Sequence, residues 1–152
     1  MNKRRCKSSF FIIKNLVNIR IYDILLLVKV VIYTMLDLYI KNDDGITTYK
    51  DIEYTKKDNK LLFNTKDDSY EFIIDKTIKM IKDNKDSKIS LLFDKDKKTS
   101  GLYEIKDINT SFNLNIVTNN LEINEKLVII DYVLYIEDEK TGNFNIKITI
   151  KE

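Results

Sequence analysis

"YEIKDINTSFNLNIVTNNLEINEKLVIIDYVLYI", residues 103–136, alternates apolar and polar side chains almost without a break and contains neither glycine nor proline. Successive side chains of a β-strand point to opposite faces, so a period of two sustained over this length predicts strands with one face buried. The phase places Phe112, Leu114, Ile116 and Thr118 on one side of a first strand. It places Val128, Ile130, Tyr132, Leu134 and Ile136 on one side of a second. Taken alone, the stretch reads as the wall of a larger structure, with Phe112 through Leu134 facing a common interior.

The same period extends outward in both directions. Upstream it aligns Leu36, Leu38 and Ile40, then Leu61 and Phe63, then Tyr70, Phe72 and Ile74, then Ile78 and Met80, then Ile89, Leu91 and Phe93, and finally Tyr103 and Ile105. Downstream it aligns Phe144, Ile146, Ile148 and Ile150 against Asn145, Lys147, Thr149 and Lys151. Between these runs lie "NDDG" at 42–45, "DNK" at 58–60, "KDNKDS" at 82–87, "DKDKKTSG" ending at Gly101, and "EDEKTGN" carrying Gly142. All are rich in the Asp, Asn and Gly that stabilise turns. Eight to ten short strands with no crossover helix predict an antiparallel meander. A single sheet of that length would leave two edges and one apolar face uncovered, so the expected architecture is a closed β-barrel.

One strand breaks the pattern. Leu127, Ile129, Val133 and Tyr135 make the second face of residues 127–135 apolar too, interrupted only by Asp131. A covering element (a leader helix, a second subunit or a loop) accounts for this, and so does a merely apolar exterior. The inward Thr118 and the outward Ile129 and Val133 are the positions where the wall departs from its own rule.

Residues 1–34 differ from the rest. They hold all three Arg (Arg4, Arg5, Arg20) and the sole cysteine, Cys6, with a net charge of +6, whereas residues 35–152 carry −4. Lys14, Arg20, Asp23 and Lys29 interrupt the apolar run, which therefore falls short of the roughly 18–20 residues of a spanning helix. Three readings of this leader stand side by side: a natural start at Met35 that leaves it untranslated, a basic apolar helix packed on the body, and a surface anchor at a membrane. The expected division is a leader at 1–34 and a barrel domain at 35–152, with no stable membrane insertion.

Composition narrows the chemistry. The 152 residues include no Pro, His, Trp, Ala or Gln and only three Gly. Without His the usual proton shuttle and preferred transition-metal ligand are missing. With one Cys a structural zinc site and an internal disulfide are both excluded. The acidic body lacks the basic stripe that nucleic acid requires. "NDDG" and "DKDK" lack the spaced oxygen ligands of a calcium loop, and Glu137, Asp138 and Glu139 read as a solvated hairpin tip. The expectation is no metal, no cofactor and no nucleic-acid partner. No catalytic residues are assignable, and no particular ligand-binding residues stand out.

"YEIKDINTSFNLNIVTNNLEI" followed by "LVIIDYVLYIEDEKTGNFNIKITIKE" resembles the C-terminal half of the YwiB-like family, small bacterial proteins of unknown function with a calycin-like, lipocalin-related β-barrel. The family pattern falls on Thr110, Phe112, Leu114, Ile116, Thr118, Leu121, Tyr132 and Gly142, with Asn113 where the family usually has Gly. The resemblance covers about residues 88–152. It implies a barrel fold and a soluble, cytoplasmic bacterial protein, and it carries no activity with it. Two functions follow as expectations: a barrel that binds a small apolar ligand inside, or an interaction module that dimerises or binds a protein through Ile129, Val133 and Tyr135. An enzyme using Asp, Glu or Tyr is a third reading that no constellation supports.

Overall fold

The computed structural model describes residues 34–151, in which every regular element is a strand. The leader, including the expected N-terminal helix, lies outside the described residues apart from Thr34. The strands are β1 (Met35–Asn42), β2 (Gly45–Lys57), β3 (Lys60–Asn64), β4 (Ser69–Ile74), β5 (Ile78–Asp83), β6 (Ser87–Phe93), β7 (Thr99–Ile105), β8 (Thr110–Ile123), β9 (Leu127–Ile136) and β10 (Glu139–Lys151). Each pairs antiparallel with its successor, and β10 returns to β1 to close a ten-stranded barrel. The closing seam is regular, running from Met35 opposite Lys151 to Asn42 opposite Phe144 with no shift of register. A meander closed in this way leaves no first or last strand with a free edge.

The inward face is the one that the alternation selects. Leu36, Leu38, Phe72, Ile78, Phe93, Ile116, Ile130 and Ile148 have no accessible surface, and Leu61, Phe63, Leu114, Val128 and Ile146 have almost none. Aromatic rings join neighbouring strands inside: Phe63 stacks on Tyr70 and Phe72 with centroids 5.1 and 5.9 Å away. Tyr132 touches Phe93 at 4.8 Å and Phe144 at 5.1 Å. Burying each large side chain contributes about 1.5–3 kcal/mol, and each ring pair about 0.5–1.5 kcal/mol more.

Three departures from the sequence expectation have identifiable causes. β2 escapes the period-two reading because it carries a bulge. Leu36 pairs with Ile52 but Leu38 pairs with Tyr49, so Lys50 and Asp51 together face Asp37. Asp51 takes φ +54°, its N–H donates to Asp37 Oδ1 at 2.9 Å, and Lys151 Nζ bridges both carboxylates at 2.6 and 2.8 Å. The inward side chains of β2 are therefore Tyr49, Ile52 and Tyr54, spaced three and then two. Gly101 and Gly142, expected in turns, lie instead within β7 and β10, and the connecting turns are shortened to 94–98 and 137–138. Gly101 faces inward between Leu91 and Leu114, where a Cβ would stand 2.6 Å from the Ser90 carbonyl oxygen and 2.8 Å from Leu91 Cδ2. Gly142 follows a register shift in β10. At Asn113 β8 runs straight, opposite Leu102, and its own bulge comes later, at Asn119 between Thr118 and Asn120.

Turn chemistry is as the composition predicts. Asn42 Oδ1 accepts the N–H groups of Asp44 and Gly45, and Asn84 Oδ1 accepts those of Asp86 and Ser87. Glu137 and Asp138 both have positive φ, the backbone of a two-residue hairpin turn whose twist matches the flanking strands.

Candidate functional site

The barrel is filled unevenly along its axis. Around Leu36, Phe72, Phe93 and Ile148 the inward side chains close on one another. Toward the end where five turns join β1–β2, β3–β4, β5–β6, β7–β8 and β9–β10, the inward residues Ile40, Ile89, Tyr103, Leu134, Ile136 and Phe144 are only half-buried. They are half-buried because they line a cavity of about 340 Å³ inside the wall, together with Met80, Leu91, Leu114, Tyr132 and Ile146. Tyr103 stacks against Phe112 at 6.3 Å and Tyr132 against Phe144, so two sides of the cavity are braced by rings.

A few polar groups interrupt this apolar lining: Asn42, Tyr70, Lys82 and the hydroxyls of Tyr103 and Tyr132. Lys82 belongs to β5 and stands opposite Tyr70 of β4 and Ile89 of β6, both inward residues, so the pleat turns it inward as well. Its ammonium lies 3.2 Å from Asp68 Oδ2 and 5.9 Å from the centre of the Tyr70 ring. Asp68 is itself nearly buried and accepts a hydrogen bond from Asn84 Nδ2 at 2.8 Å. Burial, and then the Asp68 carboxylate beside it, pushes the Tyr70 phenol far above the ordinary tyrosine range. Burial alone does the same to Tyr132. Both rings thus present neutral hydroxyls at any physiological pH.

A larger concavity opens where the wall parts. β2 pairs with β3 only from Tyr54 to Lys57, so the part of β2 that pairs with β1 diverges from β3. The divergence opens a groove of about 1300 Å³ bordered by Thr48–Thr55, Leu62–Lys66, Ser69, Tyr70 and the outer residues Glu71, Ile81, Asp83 and Lys88. The inward Tyr49, Ile52, Tyr54, Phe63 and Tyr70 belong to its lining, and it shares Tyr70 with the interior cavity. It is broad, open to water and as polar as it is apolar, whereas the interior cavity has the mainly apolar lining of small-molecule sites. The interior cavity is the better candidate.

The three positions singled out by the alternation do not form this site. Thr118 is inward and 7% exposed, opposite Tyr132, and its Oγ1 has no hydrogen-bond partner among the described residues. It lies outside the cavity lining. Val133 faces outward yet is only 9% exposed, and Lys98 Nζ lies 5.8 Å above the Tyr135 ring. Asp131, between Ile129 and Val133, accepts a hydrogen bond from Asn145. Leu127, Ile129 and Tyr135, the other apolar residues of this outward face, are half-buried.

Sequence reasoning missed Lys82 and Asn42, which it left in turns. The signal for Lys82 was present: the alternation of Ile78 and Met80 continues to position 82, but "KDNKDS" reads as a single polar loop. Met80, Ile89, Leu91, Leu114 and Leu134 were read as inward, though nothing in the chain marks them as lining a space rather than filling one.

Among the described residues no helix is long and apolar enough to cross a membrane. The model of a family described as a domain of unknown function, DUF1934, matches residues 30–148. Among solved structures the chain is similar to the ywiB protein from Bacillus subtilis, with 16% identity and a TM-score of 0.53 over 78% of this chain and 91% of that one. No curated protein matches it in sequence.

Proposed function

Since the chain belongs to the DUF1934, YwiB-like family, whose description assigns no activity, we propose from the barrel itself that the protein binds a small, mainly apolar molecule in its interior. The observation that supports this is the contrast between the two halves of one wall. In the packed half Leu36, Phe72, Phe93 and Ile148 have no accessible surface. The other half keeps about 340 Å³ lined by half-buried Ile, Leu and Phe side chains, within the size range of small-ligand sites and with a few converging polar groups. Leaving that much apolar surface wet is unfavourable by about 25 cal/mol per Å², and a ligand would recover it.

In this reading the protein is a carrier or sensor rather than an enzyme. The polar groups that line the cavity are phenols, an amide and an ammonium already paired with Asp68. None of the lining residues is a carboxylate, serine, cysteine or histidine.

The test is fluorescence titration with N-phenyl-1-naphthylamine, an uncharged dye that brightens in apolar surroundings. Saturable enhancement at one dye per chain is expected, together with its loss in Leu134→Trp, where the indole would occupy the cavity. Absence of saturation, or unchanged binding in a folded Leu134→Trp protein, would remove the proposal.

A further inference from the structure

The charged groups around the cavity say more about the ligand than its apolar wall does, and the inference drawn from them rests on the binding reading above. A lone inward lysine would call for an anionic head such as a carboxylate. Lys82 is not alone. Its ammonium sits 3.2 Å from Asp68, whose side chain is 10% exposed and anchored by Asn84, so lysine and aspartate form a fixed pair of zero net charge. Leaving out the paired Asp68, the turns that ring this end carry seven Asp or Glu against three Lys. An entering anion would therefore meet a repulsive rim and find its counter-charge already satisfied. An entering ammonium would be drawn by the rim but would lose hydration beside the Lys82 charge.

What the pair leaves over is hydrogen-bonding capacity. An ammonium has three donors, and one is directed at Asp68. The Asn42 side-chain NH2, whose Oδ1 is already taken by the Asp44 and Gly45 N–H groups, and the Tyr103 and Tyr132 hydroxyls offer further partners on the same lining. These groups suit a head that accepts and donates hydrogen bonds without carrying charge. We infer that the cavity selects an uncharged amphiphile, an apolar body of about ten non-hydrogen atoms ending in an alcohol, amide or ester, over a carboxylate or amine of the same length.

The experiment is displacement of N-phenyl-1-naphthylamine from the 152-residue protein at pH 7 by 1-decanol, decanoate and decylamine, each kept below its micelle-forming concentration. Half-displacement by decanol at a concentration at least tenfold lower than by either charged analogue is expected. Asp68→Asn leaves Lys82 uncompensated and should raise the relative potency of decanoate at least tenfold. Should that variant fail to fold, Lys82→Met serves instead: it should weaken decanol about tenfold while dye binding persists. Equal or stronger displacement by decanoate or decylamine from the parent protein would overturn the head-group inference and leave the binding reading standing. Failure of the dye itself to bind would overturn both.

Discussion

Replacement of Gly101 by Ala tests whether the interior is packed as described, since the residue owes its identity to space rather than to backbone conformation. A Cβ built there would lie 2.6 Å from the Ser90 carbonyl oxygen, 2.8 Å from Leu91 Cδ2 and 3.2 Å from Ile116 Cδ1. Leu91 can change rotamer, but the carbonyl cannot move without opening the β6–β7 ladder, in which Leu91 opposite Gly101 is the last pair. Forcing an extra methyl into a filled interior costs about 1–3 kcal/mol, and contact with a backbone atom argues for the upper part of that range. The variant regains about 0.4–1 kcal/mol because alanine has less freedom to lose on folding. A net destabilisation of about 2 kcal/mol remains, a sizeable share of the roughly 5–15 kcal/mol that holds a domain folded. In urea denaturation followed by circular dichroism, a slope of about 2 kcal/mol/M turns this into a midpoint about 1 M lower. Gly142→Ala is the control: its Cβ would meet only the Asp43 carboxylate at 3.0 Å and the Phe144 ring at 3.4 Å. Asp43 Oδ2 accepts the Asn143 N–H at 2.9 Å, so moving aside costs at most that exposed hydrogen bond, and the shift should stay within about 1 kcal/mol. A Gly101→Ala midpoint equal to the parent's would refute the packing argument.

Three further outcomes are expected. Tyr70 and Tyr132 have phenol pKa values raised mainly by burial, so the stability they contribute is complete below pH about 10 and declines above it. Absorbance at 295 nm should show two tyrosines that ionise only as the barrel unfolds. Asp37 is held below the ordinary carboxylate value of 3.8 by the hydrogen bond from Lys151 and then by the Asp51 N–H. Its contribution is present above that value and is lost as pH falls through the folded value, so acid unfolding of Asp37→Asn should be less pH-dependent below pH about 4 than that of the parent. Thr118→Val removes a buried hydroxyl that has no partner among the described residues and keeps the shape of the side chain, so stability in urea should hold or rise, by at most about 1 kcal/mol. A clear fall would show that the hydroxyl is hydrogen-bonded.

The assignment of strands and of their inward faces was legible because the period of two is a local property of the chain. Every inward residue from Leu36 to Ile40, and from Val128 to Ile136, is where alternation puts it. Closure into a barrel followed from the number of strands and the need to cover an apolar face. β2 was not legible, because a bulge held by Asp37, Asp51 and Lys151 breaks the period, and the last two partners lie 100 positions apart. Gly101 was misread for the opposite reason: glycine favours turns locally, and only the crowding of Ser90 and Ile116 from neighbouring strands reserves it for the interior.

The sequence by itself determined the class of fold and the composition of the core, both of which depend on which residues are present and in what order along one strand. Only the tertiary structure decided where the barrel is filled and where it is hollow, and that Lys82 of β5 points inward against Asp68, in the turn that leads into the neighbouring β4. Those properties depend on how far each strand slides past its neighbours as the sheet closes. That stagger is set by pairings between residues distant in the chain, and no local pattern records it.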